Sequence, residues 1–148
     1  MIKKALLIID VQKSSVIKEE NAKAVEELQN KYDFVFVSQF MNKNSPCIKF
    51  LDDYEGYADE TLAFVPIKKA HVFQKNIYSS FLPEMKDFKQ IDICGCDTDA
   101  CIYKTAMDLI ENNIRPVILS AYCWSQSQEL HECGMKLIKR NVGKINIK

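Results

Sequence analysis

Glycine and proline are scarce in this chain, four of each in 148 residues, and histidine is scarcer still, at two. So few glycines leave no G-x-G-x-x-G or P-loop pattern, which tells against nucleotide binding by those routes. His71 and His131 are far apart, and no C-x-x-C pair occurs, so the common zinc and dithiol spacings are missing. Net charge is missing too: Lys+Arg and Asp+Glu stand at 20 each, with no long block of one sign. Nothing therefore points to nucleic acid or to an anionic membrane surface. No apolar run is long enough to span a bilayer. The start, "MIKKALLIIDVQ", places two lysines before an apolar run, as a signal peptide does, but the run is too short and ends in Asp10. It reads as a buried strand. Six cysteines without a secretion signal imply free thiols in a reducing cytoplasm.

What is present suits one compact domain over residues 1–148. Residues 4–9, "KALLII", are continuously apolar, as are 34–37, "FVFV", and 116–119, "PVIL". Unbroken runs mark strands buried on both faces, as in a parallel sheet. Residues 70–73 and 91–94 fit two more strands, and "KINI" at 144–147 a sixth. Helical patterns lie between them. Residues 20–31 carry a stripe at Ala24, Val25 and Leu28; 99–112 one at Ile102, Ala106, Leu109 and Ile110; 127–140 one at Leu130, Met135, Leu137 and Ile138. Alternating strands and helices predict an α/β fold: a single doubly wound (Rossmann-like) parallel β-sheet flanked by helices. Residues 40–69 are the least regular and hold Phe40, Phe50, Tyr54, Tyr57 and Phe64. These aromatics suit either a small, partly apolar ligand or simple core filling.

In an open α/β sheet, ligands bind beyond the carboxyl ends of the strands. Asp10 ends the first strand, Gln39 the second, and Lys75 follows the third; Gly95 to Cys101 follow the fourth and Ser120 to Ser125 the fifth. Asp10, Lys75 and Cys101 can therefore converge. Three of the six cysteines, Cys94, Cys96 and Cys101, fall within "CGCDTDAC". Metal binding and a redox pair both lack their usual spacing, which leaves one reactive thiol with two bystanders. Cys94 lies inside a strand and Cys96 in the turn, with Gly95 permitting the turn. Cys101 starts a helix whose positive end favours a thiolate, and a nearby Lys75 would favour it further, so a lowered pKa is expected. Simple burial of Cys101 is the plain alternative. Asp10 has one as well, as a helix cap, and His131 reads as a surface or packing residue.

Three segments together resemble the isochorismatase-like cysteine hydrolases, a family that includes nicotinamidases and carbamoylsarcosine amidases. They are "ALLIIDVQ" at 5–12, "KNIYSSF" at 75–81 and "GCDTDACIYKTAMD" at 95–108. The third resembles the family's Gly-x-x-Thr-Asp-x-Cys nucleophile segment, and the tail "SQSQELHECGMKLI" its final helix. The resemblance implies Cys101 as nucleophile, Asp10 as general acid/base and Lys75 as the third member of the triad. It also implies a non-proline cis peptide at Cys96–Asp97, turning the Asp97 N–H toward the Cys101 N–H as an oxyanion hole. The implied activity is hydrolysis of a C–N (amide) bond in a small molecule through a covalent thioester, with a homo-oligomeric assembly of two or more copies. A non-catalytic binding homologue and a thiol-based redox protein remain as alternatives.

The chain also departs from the family. Nicotinamidases carry Asp-x-His and a further His after the second strand, holding a metal; here that stretch reads "SQFMNKNSP". No cofactor and no metal are therefore expected. Ala121 stands near a place where the family often has an aspartate, and Asp97 puts a carboxylate where many relatives have a neutral residue. These departures leave the substrate open.

Overall fold

The computed structural model describes residues 3–148. Five parallel strands form one sheet: β1 Lys4–Ile9, β2 Val35–Phe40, β3 His71–Lys75, β4 Gln90–Cys96 and β5 Arg115–Trp124, in the order β3-β2-β1-β4-β5. Four α-helices accompany them: α1 Glu19–Leu28, α2 Pro46–Phe50, α3 Tyr103–Glu111 and α4 Gln128–Ile138. The chain winds outward from β1 through β2 to β3, then returns to β1's other side for β4 and β5. β1 and β4 therefore flank the point where the winding reverses, and the crevice beyond their carboxyl ends is the natural ligand site of such a sheet.

β1 is buried on both faces because its side chains alternate between two cores. Ala5, Leu7 and Ile9 pack with Ile93, Ile102, Ala106, Leu109 and Ile138 beneath α3 and α4. Leu6 and Ile8 pack with Val25, Leu28, Val35 and Phe64 beneath α1. Each fully buried Leu or Ile removes enough apolar surface to contribute about 1.5–3 kcal/mol.

The strands run further toward their carboxyl ends than the apolar runs suggest. β2 continues through Ser38, β3 ends on Lys75 itself, and β4 includes Gly95 and Cys96. Cys96 is thus in the sheet, not in a turn. The expected sixth strand at 144–147 does not form. Lys144–Asn146 make a 3-10 turn after Gly143, and only Ile147 pairs, in a single parallel bridge to Ile118. The buried stripes of the helices are narrower than the sequence pattern predicts. Ile110 and Leu130 are 39% and 41% exposed, while Thr105 and Gly134 lie on the buried faces.

Candidate active site

Asp10 sits one residue beyond β1 in left-handed backbone, φ 52°, which Asp tolerates better than most residues. Its carboxylate is fully buried and does not cap α1. The Ser38 hydroxyl donates to Asp10 Oδ1 at 2.8 Å, and the Ser80 hydroxyl donates to Ser38 Oγ at 3.0 Å. Ser80 is held in turn by its own N–H, which donates to Thr105 Oγ1 at 2.9 Å. This chain ties β1, β2, the segment after β3 and α3 to one carboxylate oxygen, and linked hydrogen bonds polarise one another. The Cys96 thiol donates to the Asp10 backbone carbonyl at 3.3 Å, so Cys96 helps to hold Asp10 in place.

Lys75 Nζ lies 2.8 Å from Asp10 Oδ2, with both side chains buried. It also donates to the carbonyls of Ile77 at 3.1 Å and Tyr78 at 2.8 Å. Three partners match the three protons of an ammonium. Burial pushes the Lys75 pKa down, but Asp10 and the Cys101 thiol outweigh it, and the net shift is upward. Oδ2 has no donor among the described residues besides the Lys75 ammonium. A buried carboxylate oxygen is therefore left with lone pairs available for a proton.

Cys101 belongs to a π-helical turn, Thr98–Ile102, ahead of α3. Its thiol lies in the fields of Asp10, Lys75 and Asp97. Its pKa is not lowered, as sequence reasoning anticipated, but pushed up to about 12. Burial is the main cause and the Asp10 charge adds to it; Lys75 opposes both through its charge and a hydrogen bond to the thiol, without overcoming them. The resting site is thus a neutral thiol beside an aspartate–lysine ion pair.

The nucleophile turn is anchored from several sides. Asp97 O accepts from the N–H groups of Ala100 and Ile102, both at 3.1 Å. Ser125 Oγ accepts from Thr98 N–H at 3.0 Å and donates to Asp99 Oδ1 at 2.7 Å. His131 Nδ1 lies 2.8 Å from Thr98 Oγ1, so the half-exposed His131 packs on the turn. The Cys96–Asp97 peptide is cis, at the position the family resemblance implies. Two of the four glycines serve this region. A Cβ on Gly95, φ 114°, would fall 2.0 Å from the Ile9 carbonyl oxygen, and one on Gly134 would fall 2.7 Å from the Asp99 nitrogen. Gly95 thus permits close β1–β4 contact and Gly134 lets α4 rest on the turn.

The model of the isochorismatase domain family matches residues 4–146. This chain belongs to the isochorismatase domain family. It thereby joins a group of hydrolases. Its fold is similar to an isochorismatase-like hydrolase from Alkaliphilus metalliredigens, with TM-score 0.80, 17% identity, and 98% of this chain and 93% of that one covered. It is likewise similar to nicotinamidase/pyrazinamidase from Bacillus subtilis, with TM-score 0.77, 17% identity and 99% of each chain covered. The pyrazinamidase/nicotinamidase from Streptococcus mutans follows at TM-score 0.74 and 18% identity, covering 98% of this chain and 99% of that one. At such identities the likeness is one of fold. No curated protein matches the sequence.

Within this isochorismatase domain, residues 40–69 build an aromatic wall. Gln12 fastens its base. Gln12 Nε2 donates to the carbonyls of Phe40 and Glu60, both at 2.9 Å, and Phe40 N–H donates to Gln12 Oε1 at 2.8 Å. Asn42 and Tyr57 exchange hydrogen bonds at 2.7 and 2.8 Å. Phe40 meets Tyr54 at 6.1 Å and Tyr57 at 5.5 Å between ring centroids. Burial raises both tyrosine pKa values, and both rings lie in the fields of Cys101, Asp10 and Asp97. A cleft of about 700 Å³ opens beside the nucleophile turn, lined by Lys18, Asn21, Trp124, Gln126 and His131 among others; Asp10 and Cys101 do not line it. Among the described residues no three His, Cys, Asp or Glu side chains group so as to hold a metal ion. In the stretch where nicotinamidases carry metal ligands, Gln39 donates to the Glu60 carbonyl at 2.7 Å and Asn42 N–H to its carboxylate at 2.6 Å.

Sequence reasoning named Asp10, Lys75, Asp97 and Cys101, and all four meet at one site. It missed Gln12, Ser38, Ser80, Thr105 and Gly134. Lone hydroxyls at strand ends and loops carry no pattern. Gly134 had a signal, an isolated glycine inside an amphipathic helix.

Proposed function

We propose that the protein hydrolyses a C–N (amide) bond of a small molecule, with Cys101 as nucleophile, Asp10 as general acid and base, and Lys75 fixing the charge of Asp10. The observation that carries this reading is the buried Asp10 Oδ2, which meets only the Lys75 ammonium and shares its surroundings with the Cys101 thiol. A thiol with a pKa raised to about 12 is a poor free thiolate, so it needs a base in contact at the moment of attack.

The steps balance as follows. Asp10 takes the thiol proton while Cys101 Sγ forms a bond to the carbonyl carbon, and the carbonyl electron pair moves to oxygen. The N–H groups of Asp97 and Cys101 receive that oxyanion; one such donor is worth about 2.7–4 kcal/mol in the transition state. Collapse breaks the C–N bond as protonated Asp10 gives its proton to the leaving nitrogen, releasing ammonia or an amine and leaving a thioester. Asp10 then takes a proton from water, whose oxygen attacks the thioester carbonyl. The C–S bond breaks, the carboxylic acid departs, and Asp10 returns the proton to sulfur. Lys75 stabilises Asp10 in its ionised state at the start of each half. No step calls for a metal or cofactor.

The test is ammonia release from a panel of small amides, nicotinamide, ureido acids and N-carbamoyl compounds. Cys101→Ala should abolish turnover while retaining substrate binding. Asp10→Asn should lose nearly as much, and the double mutant little more, because the two residues act as one unit. An acyl-sized mass increase on wild-type Cys101 identifies the thioester. Turnover surviving in Cys101→Ala, or additive losses in the double mutant, would sink this mechanism.

A further inference from the structure

We propose that Ser38 and Ser80 are positioning residues of the reaction: a one-way hydrogen-bond relay, Ser80 to Ser38 to Asp10 Oδ1, pins the Asp10 carboxylate, keeps it ionised and leaves Oδ2 to Lys75 and to the thiol proton. The inference rests on the hydrolase reading above and adds two residues that the triad does not contain.

Ser38 is fully buried in the otherwise largely apolar β2, "VFVSQF". Burying a hydroxyl costs free energy unless it is bonded, so packing alone would favour an apolar residue there. Ser80 and Thr105 are equally buried, and three hydroxyl side chains thus line up where water does not reach. Ile9 and Ser38 stand side by side in the β1–β2 register, and regular alternation would send residue 10 to the opposite face. The left-handed backbone at Asp10, φ 52°, brings its carboxylate back to Ser38. Phe36 and Ser38 share one face of β2, and Phe36 belongs to the core against which Cys101 packs. The relay and the thiol therefore lie on the same side of the sheet.

Chemistry fixes the direction of the relay. An ionised carboxylate only accepts, so Ser38 must spend its one proton on Oδ1, at 2.8 Å. Its oxygen then accepts from the Ser80 hydroxyl, at 3.0 Å. Ser80 is held in turn by its N–H, which donates to Thr105 Oγ1 at 2.9 Å. A donor to the charged form favours that form, and Ser80 strengthens the donor by polarising the Ser38 hydroxyl. Without Ser38, a proton should settle on Asp10 at higher pH, and the base is lost sooner as pH falls. The other titratable groups around Asp10 are Lys75 on β3, 2.8 Å from Oδ2; Cys96 on β4, whose thiol donates to the Asp10 carbonyl; Asp97 and Cys101 at the nucleophile turn; and Tyr54 and Tyr57 of the 40–69 segment. Among the described residues none of these bonds the Ser38 or Ser80 hydroxyl, so substituting the serines alters the relay and leaves those groups in place.

The experiment is carbon-13 NMR of the full-length protein labelled at the aspartate side-chain carboxyl. The Asp10 line, assigned by its loss in Asp10→Asn, is followed against pH. In Ser38→Ala its titration midpoint should rise by about one to two pH units. Ser80→Ala should raise it by roughly 0.2–0.5 unit. The double variant should match Ser38→Ala, and Ser38→Thr, which keeps the hydroxyl, should stay near wild type. If the wild-type line is still that of the ionised form at the onset of acid unfolding, any Ser38→Ala midpoint above that pH is a rise, and a line equally flat counts as none. Equal midpoints in wild type and Ser38→Ala, or a Ser80→Ala rise of the same size with and without Ser38, overturn the inference. Should Ser38→Ala not fold, Ser80→Ala decides, and an unchanged midpoint in it overturns the inference. Ammonia release separates the relay from the hydrolase reading. With any amide that is turned over, Ser38→Ala should lower kcat about ten- to a hundredfold with KM within about twofold, and should move the acid limb of kcat/KM by the same amount as the NMR midpoint. A midpoint rise without turnover of any amide refutes the hydrolase mechanism and keeps the relay; turnover with an acid limb unmoved by Ser38→Ala does the opposite.

Discussion

Lys75 and Lys104 each contact an aspartate, Lys75 across the sheet to Asp10 and Lys104 one helical turn along α3 to Asp108. The Asp10–Lys75 side chains are 0% and 5% exposed. Lys104 is 54% exposed, and Asp108 also bonds nothing that belongs to the site. The chemistry of the two pairs is the same, but water screens one and not the other. An exposed i,i+4 pair is worth about 0.3–0.5 kcal/mol. A buried pair can offer little net stability over an apolar replacement of both partners, yet losing one partner leaves a naked charge inside the protein. What the buried pair supplies is a carboxylate held by an ammonium next to Cys101, at the cost of a fold that depends on Lys75. The same low dielectric that gives the pair its influence also raises the neighbouring thiol.

The largest expected effect concerns that thiol. With a pKa pushed up from 9.0 to about 12, the thiolate fraction of Cys101 at neutral pH falls roughly a thousandfold. Limiting iodoacetamide at pH 7 should therefore label exposed Cys133 well before Cys101, and Cys101 labelling should still be climbing about tenfold per pH unit at pH 10. Peptide mapping that finds Cys101 alkylated first would mean that Lys75 dominates over burial and Asp10.

Next comes the pair itself. Lys75→Met should cost about 3–5 kcal/mol in urea unfolding and abolish turnover. Lys104→Met, the matched change at the surface, should cost no more than about 0.5 kcal/mol and leave turnover alone. Similar losses for the two substitutions would erase the distinction drawn from burial.

The smallest effect is a pH dependence. Asp97 holds its proton more tightly when folded, at about 6 against an ordinary 3.8. Between those values the native state binds more protons than the unfolded chain. Asp97 therefore lowers stability as pH rises through that window, and the loss is complete above pH 6. Allowing for partial exposure, the loss is of order 1–3 kcal/mol. Asp97→Asn should accordingly be more stable than wild type at pH 7.5 and no different at pH 3.5. A constant difference at both pH values would show that Asp97 is not in the desolvated, anionic setting described.

Much of this was legible in the residues alone. Apolar runs too continuous for a one-sided sheet located three of the five strands, because burial on both faces removes the need for alternation, and two shorter segments fitted the others. The polar residues ending or following the runs picked out Asp10 and Lys75, and the resemblance of "GCDTDAC" to the family's nucleophile segment picked out Cys101 and Asp97. The sequence by itself thus determined the sheet and which charged and thiol side chains meet at its carboxyl end. Local pattern could not determine what those groups experience there. Ser38, Ser80 and Thr105 reach Asp10 only because three separate segments fold against it. "KINI" has a strand's composition, but Gly143 and the turn at Lys144–Asn146 leave one bridge. The direction of the Cys101 pKa was misjudged for a related reason. A helix start and a lysine are local features, whereas desolvation and the Asp10 field come from chain segments distant in sequence. Only the tertiary structure sets how much water remains around a charge, and that decides whether it is screened or must be paired.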